Sequence, residues 1–422
     1  MTTILPQSSA PPVTTVGPWA WAKKNLFSSW LNTLLTIISA AFLAWVLISF
    51  LSWAFTEAQW NAVRDNFRLF LVGRYPVQLL WRIWASLGLI VAVGGLSWGV
   101  LARTSRLFDR RGLVMLGILA ASILIVLGLL ADPTSIAISL GLLVLVVGTA
   151  FLGQQIGQVK PQLGSWLPLF WLLTFLLAYA LVRGLIIGPQ VKLDDLTGLL
   201  LTLLTAIVSI VLSFPIGVLL ALGRRSELPV IRWLSIVYIE VIRGLPLVTI
   251  LFAASLLVPL VLPSGMRPDR VLRAIVGLTM FSAAYLAENV RGGLQSVPRG
   301  QAEAAKALGM NPLLTTTLIV LPQALKAVIP TIVGQFISLF KDTSLLAIIG
   351  LAELLGMGQS VLANPQYNGR SSEVFLFIGL IYFLCCSIMS WASRRLERQL
   401  NAPKRAVDPA LTTNRPDGGG GG

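Results

Sequence analysis

Two Glu-x-x-Arg pairs stand inside apolar stretches of the C-terminal half. The first is Glu240 with Arg243, and the second is Glu288 with Arg291. Residues three positions apart share one face of a helix, and a charge at mid-bilayer costs at least about 2.5 kcal/mol. One hypothesis is that each pair is a local ion pair that neutralises itself. The other is that both pairs line a path for a solute with an ammonium and a carboxylate, because arginine forks onto carboxylates.

A third charged site is the adjacent pair Lys341 and Asp342, which interrupts another apolar run. Neighbouring residues of a helix point about 100° apart, so both side chains cannot face lipid without cost. At least one of them is expected to face protein or water. The pair therefore joins the two Glu-x-x-Arg pairs as a candidate part of a solute path.

Enzyme chemistry has no recognisable constellation in this chain. It has no histidine, which excludes Ser-His and Cys-His catalysis, haem ligation by histidine and His-ligated metals. Its two cysteines, Cys385 and Cys386, are adjacent and cannot supply the CxxC spacing of a redox or zinc site. A GxxxxGK[ST] phosphate loop is also missing. We therefore expect no catalytic residue, no metal and no cofactor bound by this chain.

The elements that position these charges follow from composition. Of 422 residues, 56% are hydrophobic and 12% are charged, whereas a soluble domain has about half and a quarter. The chain is therefore predicted to be an integral membrane protein. Ten stretches are long and apolar enough to span a bilayer, near 31–55, 85–101, 113–130, 135–152, 166–187, 196–222, 236–262, 271–290, 324–350 and 374–392. None alternates with period two over a barrel's length, so an all-α fold with about ten transmembrane helices is predicted.

The distribution of Lys and Arg predicts that both termini are cytoplasmic. An even number of spans places them on one side, and with that side inside, the inner segments carry more than twice as many Lys and Arg residues as the outer ones. The bias accounts for much of the net charge of +15 without nucleic acid. The outer loop 56–82 is an exception, with four arginines among aromatic residues. It is predicted to be an amphipathic segment lying on the membrane surface.

The longest predicted cytoplasmic connection, 299–322, has the pattern of two short helices. Helix-forming residues fill 301–308, Gly309 ends that helix, and Pro312 can begin a second one. One interpretation is a connector that merely links two spans. The other is a binding loop, and its candidate residues, with fixed intervals between them, are Glu303, Ala304, Ala305, Gly309, Ile319, Leu321 and Pro322.

This loop resembles the EAA loop of ABC importer permeases in both its residues and its intervals. Its surroundings resemble a narrower group, the polar amino acid permeases of the histidine/glutamine type. The segments that carry this resemblance are EVIRGLP (240–246), AYLAENVRGG (284–293), VPRGQ (297–301) and KDTSL (341–345). It covers about 195–395. The additional N-terminal spans look like those of the longer permeases of general L-amino acid and glutamate/glutamine/aspartate systems.

The resemblance implies a transporter subunit in the bacterial inner membrane. The five C-terminal spans would form an ABC importer type I permease core, and two permease chains, this one and a paralogue, would form a path for polar L-amino acids by alternating access. A cytoplasmic ABC ATPase dimer, which binds ATP and magnesium, would dock on the EAA loops. An external amino-acid-binding protein would deliver the substrate, and membrane lipid would surround the spans.

Four segments are predicted along the chain. They are a cytoplasmic N-terminal segment (1–30), an N-terminal five-helix membrane region (31–190), the permease core (195–395) and a disordered cytoplasmic tail (401–422). The alternative function is an ion-coupled secondary amino acid transporter or a channel. That alternative predicts intramembrane acids without basic neighbours and no docking loop.

Overall fold

The computed structural model of the protein describes residues 17–102, 133–160, 162–263 and 267–401. Within these ranges every regular element is a helix, apart from one isolated bridge between Gly198 and Glu353. The predicted all-α fold is confirmed. The predicted span 113–130 and the predicted disordered tail beyond residue 401 lie outside the described residues.

Seventeen α-helices are numbered here in chain order within the described ranges. The first seven are α1 (Pro18–Asn25), α2 (Trp30–Ser52), α3 (Asn61–Asp65), α4 (Phe67–Val72), α5 (Leu80–Leu101), α6 (Pro133–Val159) and α7 (Leu163–Arg183). The next five are α8 (Gly198–Arg224), α9 (Pro229–Gly244), α10 (Leu247–Phe252), α11 (Val258–Val261) and α12 (Arg270–Ser296). The last five are α13 (Arg299–Ala307), α14 (Pro312–Leu314), α15 (Leu321–Asp342), α16 (Leu354–Leu362) and α17 (Ser371–Asn401).

Eight helical segments of the described chain are long and apolar enough to cross a membrane, and a bent pair makes a ninth. These nine correspond to nine of the ten predicted stretches. One prediction was wrong in shape, because 236–262 is not a single straight span. Helices α9 and α10–α11 meet at an angle of 107°. Pro246 has no N–H to continue the helical ladder, and Leu245 before it takes an extended conformation (φ −102°, ψ 139°).

The chain divides into two compact units, Met1–Trp60 and Asn61–Gly422. The first contains α1 and α2, and α2 has no buried residue. Within the second unit, α4 packs against α8 across 190–195, where the predicted N-terminal region and permease core meet. Gly73 lies so close to Thr197 that a Cβ could not fit between them, and the Thr197 hydroxyl accepts the Arg74 N–H at 2.8 Å.

Helix α12 is the centre of the larger unit and packs against α8 and α15. Small residues permit the close approach: Gly217 of α8 faces Ala283 and Leu286, and Gly293 of α12 faces Ala324 of α15. Membrane helices without a hydrophobic driving force between them rely on such backbone proximity. The charged residues near the ends of these helices are therefore held on a tightly packed frame.

The segment 61–72, part of the predicted surface loop, packs partly against other helices of the larger unit. Phe70 of α4 is fully buried, and its ring meets Phe377 of α17 edge-on at 5.2 Å between centroids. Asp65 accepts a hydrogen bond from the Tyr367 hydroxyl at 3.3 Å. Of the aromatic residues of this loop, Phe70 is therefore part of the packed core, whereas Trp81 is 47% exposed.

Candidate functional site

Glu288 of α12 is the centre of an ion-pair network that joins three helices. Its carboxylate accepts from Arg224 Nη1 of α8 at 3.0 Å and from Arg291 of its own helix, with Nη2 at 2.8 Å and Nε at 3.0 Å. Arg243 Nη1 of α9 lies 3.5 Å from the same carboxylate. The Glu288 side chain is only 15% exposed. Three guanidinium groups therefore balance the negative charge of one nearly buried carboxylate.

The two Glu-x-x-Arg pairs behave differently in the structure. Glu288 and Arg291 do form the local pair, but Glu240 pairs with Arg224 at 2.9 Å rather than with Arg243. Arg243 faces Glu288 and also lies 5.5 Å from the centre of the Tyr285 ring. The network therefore runs between helices, and the hypothesis of two separate local pairs does not describe it.

Arg224 is the member of the network that sequence reasoning missed. It is the last residue of α8, and in the sequence it contributed only to the excess of basic residues in the inner segments. The available signal was its position at the end of a span, one helix away from Glu240. With Arg224 included, the cluster holds three arginines and two glutamates and carries a net charge of +1.

The cluster is open enough to exchange partners. Glu240 keeps 54% of its side-chain exposure, and Arg243 and Arg291 keep 35% and 32%. It lies near the ends of α8 and α12, beside the break between α9 and α10. A solute carboxylate could take the place of Glu288 on an exposed guanidinium, and Glu240 could accept an ammonium. The arrangement suits a small zwitterion.

Lys341 and Asp342 do not join this cluster. They end α15, and nearby Leu339 shares a core cluster with Ala274 and Leu278. Ala274 and Leu278 lie about 15–21 Å from Glu288 along the axis of α12, at 1.5 Å per residue. The end of α15 is therefore far from the cluster. Lys341 is exposed, whereas Asp342 is half-buried against the protein.

The predicted loop begins with a short helix that ends as expected. Helix α13 spans Arg299–Ala307, and Gly309 after it has φ +77° with nothing within 4 Å of the place a Cβ would occupy. Glu303 and Ala304 are exposed, whereas Ala305 is 4% exposed and faces inward. Of the two candidate alanines of the loop, Ala304 is therefore accessible to a partner and Ala305 is not.

The second predicted helix begins at Pro312 but is not separate. Helix α14 continues through a π-helical turn at Thr315–Val320 into α15, so Ile319, Leu321 and Pro322 lie within one continuous helical run. Pro312–Ile349 has 38 residues, about 57 Å at 1.5 Å per residue, and exceeds the roughly 30 Å hydrocarbon core. The run is therefore longer than a helix needs to cross the membrane, and its first turns, which belong to the predicted cytoplasmic loop, supply the excess length.

Comparison with known proteins decides the family. The profile described as "Binding-protein-dependent transport system inner membrane component" matches residues 213–402. Over 398 residues the chain is 35% identical to the "Inner membrane amino-acid ABC transporter permease protein YhdY" of Escherichia coli (strain K12), which covers 90% of this chain and 92% of that relative. The chain belongs to the family of ABC transporter permease subunits.

The permease has similar proteins of two lengths. It is 36% identical over 431 residues, covering 93% of this chain and 96% of the relative, to the "Glutamate/glutamine/aspartate/asparagine transport system permease protein BztC" of Rhodobacter capsulatus. It is 40% identical over 200 residues to the "Probable glutamine ABC transporter permease protein GlnP" of Bacillus subtilis (strain 168), which covers 47% of this chain but 90% of that relative. The shorter relative thus corresponds to about half of the permease.

Family membership fixes the broad class of the permease. It is a multi-pass inner-membrane protein and a transporter subunit rather than an enzyme. The similarity favours this prediction over the alternative of a self-sufficient ion-coupled transporter. The matched region, 213–402, contains both the network around Glu288 and the loop around Gly309.

Glu353 is a buried acid of the permease that sequence reasoning missed. Its carboxylate accepts from the N–H groups of Leu355 and Gly356 at 3.0 and 2.8 Å and from the Tyr382 hydroxyl at 3.0 Å. The Thr202 hydroxyl donates at 3.4 Å. Burial raises the pKa of the Glu353 carboxyl, and these four donors oppose the increase. The side chain caps α16 and ties it to α8 and α17.

Arg82 is a second buried charge that the sequence placed in an outer loop. It is 1% exposed, and its guanidinium donates to the carbonyl oxygens of Pro189 at 2.9 Å and Ile187 at 2.6 Å. Gly184 and Gly188 leave the room for it, since a Cβ at either would lie within 2.6 Å of a guanidinium nitrogen. Arg82 therefore holds the chain that follows α7 against α5.

Proposed function

We propose that the permease carries polar L-amino acids inward, driven by ATP that is hydrolysed on separate subunits. The names of the full-length relatives in Escherichia coli and Rhodobacter capsulatus refer to amino-acid transport and to glutamate, glutamine, aspartate and asparagine transport. The observation that carries the proposal is the network around Glu288. It offers a complementary partner to each charge of an α-amino acid.

The network supports a partner exchange at the substrate. The guanidiniums of Arg243 and Arg291 take the substrate carboxylate, because each is about one third exposed. Glu240, the most exposed acid of the network, takes the ammonium. While the substrate is absent, Glu288 holds the arginines in place. Passage then requires α8, α9 and α12 to separate, and the substrate compensates the charges that separation would leave unpaired.

The loop around Gly309 is proposed as the docking site of the ATPase dimer. Leu308, Leu313 and Leu318 are 82%, 72% and 62% exposed, and in the proposed topology this part of the chain lies on the cytoplasmic side of the bilayer. Exposed apolar side chains grouped outside the lipid indicate a protein contact. Gly309 adds an open backbone and Glu303 an exposed carboxylate beside them. ATP and magnesium act on the partner subunits.

Docking at this loop can move the substrate site directly. The helical run from Pro312 continues into α15, and Ala324 of α15 packs against Gly293 of α12. Gly293 is five residues from Glu288 on the same helix. A displacement of the loop by the ATPase therefore reaches the charged network through one continuous helix and one close helix contact, as alternating access requires.

The remaining partners and the orientation belong to the same proposal. A second permease chain, a paralogue, completes the translocation path, and an external amino-acid-binding protein delivers the substrate. Both termini face the cytoplasm, in line with the distribution of Lys and Arg. Lys341 and Asp342 are proposed to lie further along the path, towards its external end.

Uptake by the reconstituted complex tests the proposal. The permease is co-expressed with the proposed ATPase, binding protein and paralogous permease from the same genome, and the purified complex is placed in liposomes. Labelled glutamate, glutamine, arginine and alanine are supplied outside, with ATP or a non-hydrolysable analogue inside. The proposal expects ATP-dependent uptake of polar amino acids. Uptake that follows an imposed proton or sodium gradient without ATP would instead establish the ion-coupled alternative.

A further inference from the structure

A cavity of about 580 Å³ lies between α5, α7 and α8, away from the network around Glu288. This volume is in the range of binding sites for small molecules. Apolar side chains make up most of its wall, and those that matter below are Leu87, Ile90, Phe175, Leu200, Leu203 and Ile207. In this apolar part a polar amino acid would lose its hydration without gaining partners, whereas a hydrocarbon chain would fit it.

The depth of the cavity matches one leaflet of a membrane. It follows α5 from Leu80 to Ile90 and α8 from Leu199 to Ile207. Ten residues of helix cover about 15 Å, half of the roughly 30 Å hydrocarbon core. These residues occupy the N-terminal halves of α5 and α8, and Val182 adds the C-terminal end of α7. All three helix ends lie on one side of the membrane in the predicted topology.

Two exposed arginines, with one acid between them, belong to the lining of this cavity. Arg64 of α3 and Arg68, at the start of α4, both line it and are exposed. Neither makes an ion pair in the part of the chain that the structure describes. Asp65 between them is engaged by the Tyr367 hydroxyl at 3.3 Å. Two guanidinium groups without an ion-pair partner, next to an apolar lining, can bind a phosphate whose attached hydrocarbon chain follows that lining.

We propose that this cavity binds one anionic phospholipid, with its phosphate on Arg64 and Arg68 and an acyl chain along α5 and α8. In the proposed orientation, this lipid belongs to the external leaflet. Only the choice of leaflet rests on the proposed function. The lipid would fill the space between α5 and α7 of the N-terminal region and α8 of the matched permease core. Through this cavity, the lipid composition of the membrane can therefore affect the transporter.

Lipid retention by the assembled complex tests the proposal. The complex is incorporated into liposomes with equal amounts of phosphatidylglycerol and phosphatidylcholine, extracted in mild detergent, and analysed by mass spectrometry for lipid bound per permease. We expect about one phosphatidylglycerol to be retained in preference to phosphatidylcholine. The double variant Arg64→Gln/Arg68→Gln should retain about 25-fold less, since each basic residue near a membrane surface favours anionic lipid about fivefold.

Two matched controls separate the headgroup from the acyl chain. Arg74→Gln removes an exposed arginine of the same segment that does not line the cavity, and it should leave retention unchanged. Leu203→Trp places a larger side chain in the cavity and should remove the lipid whatever its headgroup. Leu212→Trp makes the same change on an exposed part of α8 outside the cavity and should have no effect.

Three outcomes would overturn the proposal. The first is equal retention of both lipids, and the second is undiminished phosphatidylglycerol in the double arginine variant. The third concerns the predicted span 113–130, which could itself fill the cavity. A scan of cysteines over 113–130 is paired with Leu203→Cys in a chain whose Cys385 and Cys386 are replaced by alanine. A disulfide formed in high yield at one of these positions would identify that span as the occupant. ATP-dependent uptake, measured in parallel, reports separately on the proposed function.

Discussion

Arg224 and Glu288 lie 64 positions apart in the chain, and their side chains meet at 3.0 Å. Arg224 ends α8, whereas Glu288 stands in the last third of α12, so this contact joins two long helices of the core. The same Arg224 nitrogen lies 2.9 Å from Glu240 of α9. One guanidinium therefore connects three helices, and any change in their spacing must first alter this contact.

Replacing Glu288 by glutamine should impair uptake more than assembly. The substitution raises the net charge of the cluster from +1 to +2. Three guanidinium groups then lack the carboxylate that they share in the wild type. We expect uptake to fall by about tenfold or more, equivalent to about 1.4 kcal/mol at the transport step. Uptake and the melting temperature of the purified complex are measured on the same preparation.

A double-mutant cycle distinguishes a substrate role of Glu288 from a structural one. Arg291→Gln and the double variant complete the cycle with Glu288→Gln. A purely local ion pair would show coupling in stability alone. Coupling in uptake at unchanged stability supports the substrate path, and normal uptake by a thermally fragile Glu288→Gln complex would contradict it.

Gly309→Arg should abolish docking of the ATPase without affecting insertion. The glycine has φ +77°, where a residue with a Cβ is strained by about 1–2 kcal/mol, and arginine adds a long charged side chain at the contact. We expect normal amounts of permease in the membrane but loss of co-purified ATPase or of substrate-stimulated ATP hydrolysis. Glu303→Ala should act in the same direction at a cost of about 1 kcal/mol.

Gly369→Arg is the matched control for Gly309→Arg. Gly369 has φ +81°, and nothing lies within 4 Å of its Cβ position, so the same substitution causes the same backbone strain. It lies between α16 and α17, on the side opposite to the loop in the proposed topology. This variant should keep its ATPase. Equal loss in both variants would mean that strain, rather than the docking surface, explains the result.

The proposed orientation can be tested by cysteine labelling. In a chain with Cys385 and Cys386 replaced by alanine, Ser226→Cys lies on the short connection between α8 and α9, and Gln366→Cys lies between α16 and α17. A membrane-impermeant thiol reagent added to the external side should label the second and spare the first. The reverse pattern would place both termini outside.

The buried Glu353 should give the complex a pH-dependent stability. Because burial raises the pKa of its carboxyl, the folded state binds this proton more tightly than the unfolded state does. Its stabilising contribution is complete below the ordinary pKa of about 4.5 and is lost as the pH rises through the raised value. When the pH is raised from about 4 to about 8, the melting temperature of the wild-type complex should fall more than that of the Glu353→Gln complex. Parallel profiles would show that Glu353 does not titrate differently on folding.

Features that depend on a few consecutive residues followed from the sequence. The length of the apolar stretches alone located the nine candidate spans in the described chain. In lipid, each crossing segment must form its own backbone hydrogen bonds, so it must be a long helix. Gly309 was recognisable as the end of a helix, since its lack of a Cβ permits the left-handed conformation it adopts. The break at Pro246 had a local signal as well, but the apolar run across it suggested one continuous span.

Tertiary structure alone decided which charges meet. Glu240 stands three residues from Arg243, yet it pairs with Arg224 on another helix. Glu353 receives a hydrogen bond from Thr202, 151 positions away. Helix packing sets these distances, and a sequence pattern records only which residues share a face of the same helix. The sequence by itself determined the elements and their charged faces, and the close packing of α8 and α15 on α12 determined which of those faces come together.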